Sequence, residues 1–93
     1  MSDTAQAEVL IVNKRGLHAR ASAKFVGAVA AMEGTQVKVI NKEGLSAAGG
    51  SILGLMMLGA ALGDRVTIAV SGADHEARLA ELVAMVEDGF GED

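Results

Sequence analysis

Four segments of the chain carry the hydrophobic patterns of strands. Residues 8–12 form a short apolar run that suits a buried strand, whereas residues 35–40 and 65–70 place apolar side chains at alternate positions. Turn-forming residues come directly before residues 45–48, which predicts that this segment returns as a short hairpin strand. The sequence therefore predicts four strands.

Apolar residues at helical spacing predict three helices. The first is predicted over Ala19–Met32 with Gly34 closing it, and the last follows Asp74, a residue type that caps helices. A short helix over Ser51–Met57 is apolar on nearly every side. The resulting order β-α-β-β-α-β-α, with apolar stripes on the helices, predicts an α+β domain whose helices lie on a single face of an antiparallel sheet.

Length and composition are those of one small domain. The 93 residues fit a single domain over 1–93, in which residues 1–7 are expected to be a loosely ordered polar start. No cysteine is present, which excludes disulfides and thiolate metal sites and fits a reducing cytoplasm. The first eight residues lack the apolar run of a secretory signal. The longest apolar stretch, Ile52–Leu62, is too short to span a bilayer, so a cytoplasmic protein without membrane contact is expected.

Charges are unevenly distributed, although the net charge is only −4. Six basic residues and one acid lie between Val9 and Lys42, whereas seven acids and one arginine lie from Asp74 onward. This division predicts a basic face that attracts an acidic partner or ligand. Nucleic acid is disfavoured as that partner, because the chain is acidic overall and has only two phenylalanines for stacking on bases.

The stretch Gly16–Arg20 (GLHAR) carries the strongest chemical signal. It places His18 at the start of the predicted first helix, and imidazole is a nucleophile that titrates near neutral pH. The first amides of a helix lack intrahelical partners, so the backbone N–H groups of Ala19 and Arg20 are expected to bind phosphate oxygens. The Arg20 guanidinium offers a permanently charged fork to the same oxygens. These residues predict that His18 carries a phosphoryl group.

Two motifs in register make the chain similar to the HPr family, the histidine phosphocarriers of the bacterial phosphoenolpyruvate-dependent phosphotransferase system. One is Asn13–Arg20 (NKRGLHAR), and the other is Ser51–Gly59 (SILGLMMLG). The resemblance implies an HPr-like open-faced β-sandwich, in which three helices cover one face of a four-stranded antiparallel sheet. The ending Gly89–Asp93 (GFGED) looks more like the nitrogen-related branch, called NPr, than the sugar-transport branch.

The resemblance also implies partners. His18 would accept a phosphoryl group from enzyme I and pass it to a histidine of an EIIA-type domain, as a carrier rather than an enzyme and without a cofactor. A monomer is expected. Many relatives have proline where this chain has Ala21, and alanine should preserve the helix because it is the best helix former. Which EIIA domain accepts the group, and whether the pathway moves sugar or regulates nitrogen use, stays open.

The second helix is implied to bind partners. Three of its side chains would form a solvent-facing apolar patch: Ile52, Leu53 and Met56. By the same resemblance, Leu55 and Leu58 turn to the core. Methionine suits a surface that accepts several partners in turn. Lys24, one turn beyond Arg20, is expected to attract acidic partners rather than to touch the phosphate.

Ser51 is predicted to cap the second helix. In the HPr family the corresponding serine is a kinase target, so Ser51 is a candidate for phosphorylation by an HPr kinase/phosphorylase. Phosphate there would place negative charge beside the apolar patch. Gly49 and Gly50 come directly before Ser51, where many relatives have a bulkier or charged residue.

Three other classes compete with the carrier. The first is a regulatory HPr-like module that acts by docking and by Ser51 phosphorylation instead of by relay. The second is an acylphosphatase-like hydrolase, which the chain does not favour because it has no arginine-bearing phosphate loop and only Asn13 and Asn41 as asparagines. The third is a ferredoxin-like metal-binding module, which two distant histidines and no cysteine disfavour, so no metal ligand is predicted. His75 is interpreted as an ordinary surface residue.

Overall fold

Strands and helices occur in the predicted order. A computed structural model of the protein describes residues 3–92. Its elements are β1 (Thr4–Leu10), α1 (Ala19–Ala30), β2 (Thr35–Ile40), β3 (Ser46–Ala48), α2 (Ile52–Met57), β4 (Arg65–Gly72), α3 (His75–Glu87) and one 3-10 turn (Gly89–Gly91). No helix within that range combines the length and the apolar character needed to cross a bilayer.

The strands form one antiparallel sheet in the order β1-β4-β2-β3. β4 lies in the middle, where Val66 is opposite Val9 of β1 and Ile68 is opposite Val39 of β2. All three of the predicted inward residues of β4 are buried: Val66, Ile68 and Val70. The α+β class that the sequence predicts is therefore confirmed, with three helices on one face of a four-stranded sheet.

The core lies between the sheet and the helices and is mostly aliphatic. α1 contributes Phe25 and α3 contributes Leu82 and Val86, each of which is at most 2% exposed. The opposite face of the sheet carries exposed polar side chains such as Glu8 and Lys38. This one-sided burial explains the strict alternation in the strands, because a residue on the open face gains nothing from being apolar.

β1 differs from the sequence-based prediction. It begins at Thr4, although residues 1–7 were expected to be loosely ordered, and it ends at Leu10 instead of at residue 12. Ala5 and Ala7 pair with Val70 and Ile68 of β4, and alanine side chains are too small to produce a recognisable hydrophobic alternation. Residues 1 and 2, which the same prediction covered, lie outside the described range.

Two non-glycine residues with left-handed backbone conformations flank α3. Asp74 precedes the helix with φ +52°, and its side chain makes no capping hydrogen bond, so the predicted cap is wrong. Phe90 follows the helix with φ +59° and is 3% exposed. The two glycines beside it, Gly89 and Gly91, also have positive φ. These three consecutive residues turn the tail back toward the start of α1.

Candidate functional site

The loop before α1 is fixed against the segment that precedes β4. Gly16 has φ +59°, and a Cβ atom at this position would lie 2.3 Å from the carbonyl oxygen of Ala60, so a side chain does not fit. The amide of Leu17 donates to that same carbonyl at 3.0 Å. Glycine is therefore required here for both its conformation and its size, and the close approach sets where α1 begins.

His18 caps α1 with its own ring. Its backbone is extended, with φ −76° and ψ −179°, and its carbonyl accepts the helical hydrogen bond from the amide of Ser22 at 2.9 Å. The ring nitrogen Nδ1 accepts a hydrogen bond from the amide of Arg20 at 3.3 Å. One imidazole nitrogen is thus aimed at an amide of the first turn. α1 forms with alanine at position 21, which is fully buried.

A carboxylate holds the other ring nitrogen. Nε2 of His18 lies 2.6 Å from Oε2 of Glu92, which is 74 residues away in the sequence. The second carboxylate oxygen of Glu92 accepts from the side-chain amide of Asn13 at 3.0 Å, and the same amide nitrogen donates to the carbonyl of Gly16 at 2.8 Å. The side chains of His18 and Glu92 are 20% and 15% exposed, so the pair is mostly shielded from water.

The ionised form of Glu92 is favoured by its neighbours. The hydrogen bond from Asn13 lowers the pKa of the Glu92 carboxyl below its ordinary value, and the hydrogen bond from His18 and the charge of Lys24 act in the same direction. Partial burial opposes these effects but does not outweigh them. A negative charge therefore stands beside a ring that is otherwise surrounded by cations.

Lys24 holds the tail that carries Glu92. Its Nζ donates to the carbonyl of Phe90 at 2.7 Å, so this lysine stabilises the turn in addition to contributing positive charge. Phe90 itself is buried against the core, which compensates for its unfavourable backbone conformation. The structure thus gives Lys24 an anchoring contact that the sequence analysis did not predict.

Basic residues surround the ring in a shallow depression. His18, Gly91 and Glu92 lie in this depression, and four cationic side chains line it: Lys14, Arg15, Arg20 and Lys24. Within residues 3–92, the Arg20 guanidinium makes no hydrogen bond or ion pair. Its five donors are therefore available to an incoming anion.

The apolar patch on α2 is exposed as expected. Its three side chains are Ile52, Leu53 and Met56, which are 41%, 67% and 41% exposed. Leu55 and Leu58 are 0% and 6% exposed and lie in the core, also as expected. Met57 is 74% exposed, although the sequence analysis did not include it in the patch.

Ser51 caps α2 in the predicted manner. Its backbone is extended, and its Oγ accepts a hydrogen bond from the amide of Gly54 at 2.9 Å. His75 lies at the start of α3, where its Nδ1 is 3.1 Å from the carbonyl oxygen of Gly72. No group of three or more side chains that could hold a metal ion occurs in the described range, residues 3–92.

Glu92 and Asn13 are the site residues that the sequence analysis missed. Asn13 belongs to the motif before the helix, but no role follows from its position alone. Glu92 reaches His18 only because Gly89 and Gly91 permit a left-handed turn. The glycine-aromatic-glycine spacing was therefore the available sequence signal for a turn in the tail, although it does not indicate which residue the tail then contacts.

The fold and the site together define a small phosphocarrier domain. It presents one imidazole to the amides of a helix start in a depression lined by cations, and a second helix carries an exposed apolar patch. The model of the family described as "PTS HPr component phosphorylation site" matches residues 5–88. The chain belongs to this family, whose members are phosphocarrier proteins of the phosphotransferase system and not enzymes.

Relatives of known sequence and structure agree. The phosphocarrier protein HPr of Cupriavidus necator is 40% identical over 94% of this chain and 96% of its own length. The phosphocarrier protein NPr of Escherichia coli is 35% identical over 97% of this chain and 99% of its own. A crystal structure of HPr from Thermoanaerobacter tengcongensis superposes with a TM-score of 0.87 at 34% identity, covering 96% of this chain and 98% of that one. Both HPr and NPr occur among the relatives, so the assignment to the nitrogen-related branch stays a prediction.

Proposed function

We propose that the protein carries a phosphoryl group on Nδ1 of His18, which it takes from enzyme I and passes to a histidine of an EIIA-type domain. The observation that carries this proposal is the direction of Nδ1, which faces the amide of Arg20 at the start of α1. A phosphoryl group bound to that nitrogen would lie where helix amides and cations both favour negative charge. The relay would operate in the cytoplasm, with the protein as a monomer.

The chemistry is an exchange between two phosphohistidines. The lone pair of Nδ1 attacks the phosphorus of the donor, the new N–P bond of His18 forms as the donor's N–P bond breaks, and the donor nitrogen keeps that electron pair. The hydrogen bond between Nδ1 and the amide of Arg20 is long at 3.3 Å, so little is lost when the amide moves to a phosphate oxygen instead. Phosphoryl transfer depends chiefly on such positioning and charge stabilisation.

Arg20 is assigned to the phosphoryl oxygens. Its side chain is exposed beside His18 and lines the same depression. The backbone amides of Ala19 and Arg20 belong to the first turn, where intrahelical partners are lacking, and would supply the remaining donors. These groups stabilise the three charged oxygens in the transition state and in the phosphorylated carrier alike.

Docking would use the apolar patch of α2 and the basic rim around His18. Enzyme I and an EIIA-type domain must each approach the same imidazole in turn, so both would contact overlapping surfaces. An exposed apolar patch that contains methionine can pack against more than one partner. The cationic rim would accelerate encounters with acidic partner surfaces and would make the transfer rate sensitive to salt.

The direct test is phosphorylation by enzyme I and labelled phosphoenolpyruvate. The expected product carries acid-labile and base-stable label, which is lost in His18→Ala. The variant His75→Ala is the matched control, because it removes the other histidine of the chain and should retain full labelling. Label that appears in His18→Ala, or that is absent from the unaltered protein in the presence of active enzyme I, would contradict the proposal.

Ser51 supports a second, regulatory proposal. Its Oγ caps α2 directly beside the apolar patch, so a phosphate at this position would add negative charge to the docking surface. Incubation with an HPr kinase/phosphorylase should place acid-stable label on Ser51 and slow the transfer from enzyme I. Absence of label, or label that survives Ser51→Ala, would contradict regulation through this residue without affecting the carrier role of His18.

A further inference from the structure

The tail of the chain contributes a residue to the site. We propose that Glu92 is a positioning residue for phosphoryl transfer: it orients the His18 ring through Nε2, keeps the proton on that nitrogen, and stabilises the positive charge that the ring acquires when Nδ1 binds phosphorus. This inference rests on the proposed role of His18 as the phosphoryl acceptor and adds a residue outside both sequence motifs.

Hydrogen bonding assigns the proton on the ring. Nδ1 accepts from the amide of Arg20, and an acceptor nitrogen must carry its lone pair. Nε2 lies 2.6 Å from a carboxylate oxygen of Glu92, which can only accept when ionised, so Nε2 carries the proton. The two contacts therefore select the same tautomer from opposite sides of the ring. In that tautomer, the nitrogen that faces the helix amides is the nucleophile.

Charge gives Glu92 a second effect. When Nδ1 forms a bond to phosphorus while Nε2 keeps its proton, the ring becomes cationic, since the donated lone pair is no longer available to the ring nitrogen. The Glu92 carboxylate, 2.6 Å from Nε2, then faces a positive ring instead of a neutral one. The contact then joins two opposite charges instead of a carboxylate and a neutral donor, so it strengthens as the reaction proceeds. The carboxylate of a serine-protease triad stabilises its histidine in the same way.

A hydrogen bond and an anchored backbone turn hold Glu92 in place. Asn13 donates to its other carboxylate oxygen at 3.0 Å, and Asn13 is itself 4% exposed and bonded to the carbonyl of Gly16. The left-handed turn at Phe90 directs the chain toward the ring, and Lys24 donates to the carbonyl of that residue at 2.7 Å. The Glu92 carboxylate, which contacts both Asn13 and His18, is positioned by the fold and is not a solvated tail residue.

The test compares Glu92→Ala and Glu92→Gln with Glu81→Gln. Glu81 is exposed on α3, so its substitution removes the same charge far from any contact with the ring. Two properties are measured: the Nε2 proton of His18 by NMR in the unphosphorylated protein, and the rate of transfer from phosphorylated enzyme I. Thermal unfolding of each variant verifies that the fold is retained.

In the unaltered protein, the Nε2 proton is expected to resonate far downfield and to exchange slowly with water. Glu92→Ala should abolish that signal and slow transfer by about tenfold, the lower end of what is lost when a carboxylate behind a metal-binding histidine is removed. Glu92→Gln keeps an acceptor oxygen without the charge and should slow transfer by a smaller factor. Glu81→Gln should leave both measurements unchanged.

The outcomes separate this inference from the proposed function. If Glu92→Ala transfers phosphate at the unaltered rate, or if its rate falls while the Nε2 proton signal is unchanged, Glu92 does not position the ring. A rate for Glu92→Gln equal to that of the unaltered protein would remove the role of charge. Failure of the unaltered protein to form phosphohistidine would instead overturn the carrier role of His18, while the NMR measurement would still report on the contact.

Discussion

The starts of α1 and α2 are both capped by a side chain, but the two capping residues differ in chemistry. Each helix is preceded by an extended residue whose side chain accepts an amide hydrogen bond, His18 from Arg20 at 3.3 Å and Ser51 from Gly54 at 2.9 Å. The serine cap is short and entirely local. The histidine cap is long, and its ring also depends on Glu92 from the far end of the chain. The chain thus has histidine at the start of α1, although serine is among the preferred capping residues.

The comparison indicates what a reactive cap requires. A nitrogen that must attack phosphorus cannot be held in a tight hydrogen bond, because that bond would have to break first. The hydrogen bond at Nδ1 is weak, but the contact at Nε2 orients the ring. The attacking nitrogen is therefore loosely bound and still well oriented. At the start of α2, where the cap takes no part in the proposed relay, the capping hydrogen bond is shorter, at 2.9 Å, and needs no second contact.

The largest expected effect comes from the glycine that fixes the start of α1. Gly16→Ala would force a Cβ to within 2.3 Å of the Ala60 carbonyl oxygen, in a backbone conformation with positive φ, so we expect a loss of stability of roughly 2–4 kcal/mol. The matched variant at the α2 start is Gly50→Ala, which meets no atom within 4 Å and should change stability by less than about 0.5 kcal/mol. Urea unfolding of both variants measures the difference, and equal losses would contradict the comparison.

The next largest effect concerns the shape of the cationic group at the α1 start. Arg20→Lys keeps the positive charge but loses the planar fork, so phosphoryl transfer should slow by about tenfold or more while the fold is retained. Arg65→Lys is the control, since that arginine is exposed on β4 and approaches Glu8 only at 3.7 Å. Quenched-flow transfer from labelled enzyme I gives the rates. An unaltered rate in Arg20→Lys would remove the guanidinium from the mechanism.

A smaller effect is expected at the α2 start. Ser51→Ala removes the Oγ that accepts from Gly54 and should reduce the free energy of unfolding by about 1 kcal/mol. Ser51→Thr retains a capping oxygen and should recover most of that loss. The two midpoints of thermal unfolding measure the cap directly. A Ser51→Ala variant as stable as the unaltered protein would show that the hydrogen bond contributes nothing net.

The smallest effect is a difference in response to acid. The pKa of Glu92 is lowered, chiefly by the hydrogen bond from Asn13, so the carboxylate contact is fully present above the ordinary carboxyl range and is lost as pH falls through the lowered pKa. NMR signals of the Asn13 side-chain amide should therefore move in that acidic range. The Gly54 amide, which bonds to an uncharged hydroxyl, should not.

The control for that titration is Glu92→Gln, which cannot ionise at position 92. The acidic transition of the Asn13 amide should disappear in this variant. If the transition persists, another carboxyl group is responsible for it, and the ionisation of Glu92 is not what the Asn13 amide reports.

Local signals in the sequence predicted much of this molecule. Strand alternation located Val66, Ile68 and Val70 in the core, and the resemblance to HPr correctly divided α2 into an exposed patch and the buried Leu55 and Leu58. The prediction for β4 depends on residues within a few positions of one another, where the period of a strand determines which side is buried. The division of α2 followed from the resemblance alone, because that helix is apolar on nearly every side.

The sequence-based predictions failed where distant segments of the chain meet, or where a residue adopts a backbone conformation that its type disfavours. Ala5 and Ala7 are too small to mark β1, and only their pairing with β4 reveals them as strand residues. Asp74 is a capping type of residue, but its backbone is left-handed and its side chain makes no capping hydrogen bond. Glu92 reaches His18 through a turn whose direction depends on burial of the Phe90 ring, and this is a property of the completed core.

The shared amide of Arg20 has a thermodynamic consequence for a carrier. In the unloaded protein this donor is satisfied by the imidazole, and in the proposed loaded protein a phosphoryl oxygen takes the place of the ring nitrogen. The amide has a hydrogen-bond acceptor in both states, so the free-energy changes on accepting and on releasing the phosphoryl group both stay small. A relay component needs such near-equality between its two states, because a site that bound phosphate too well would become the end of the pathway.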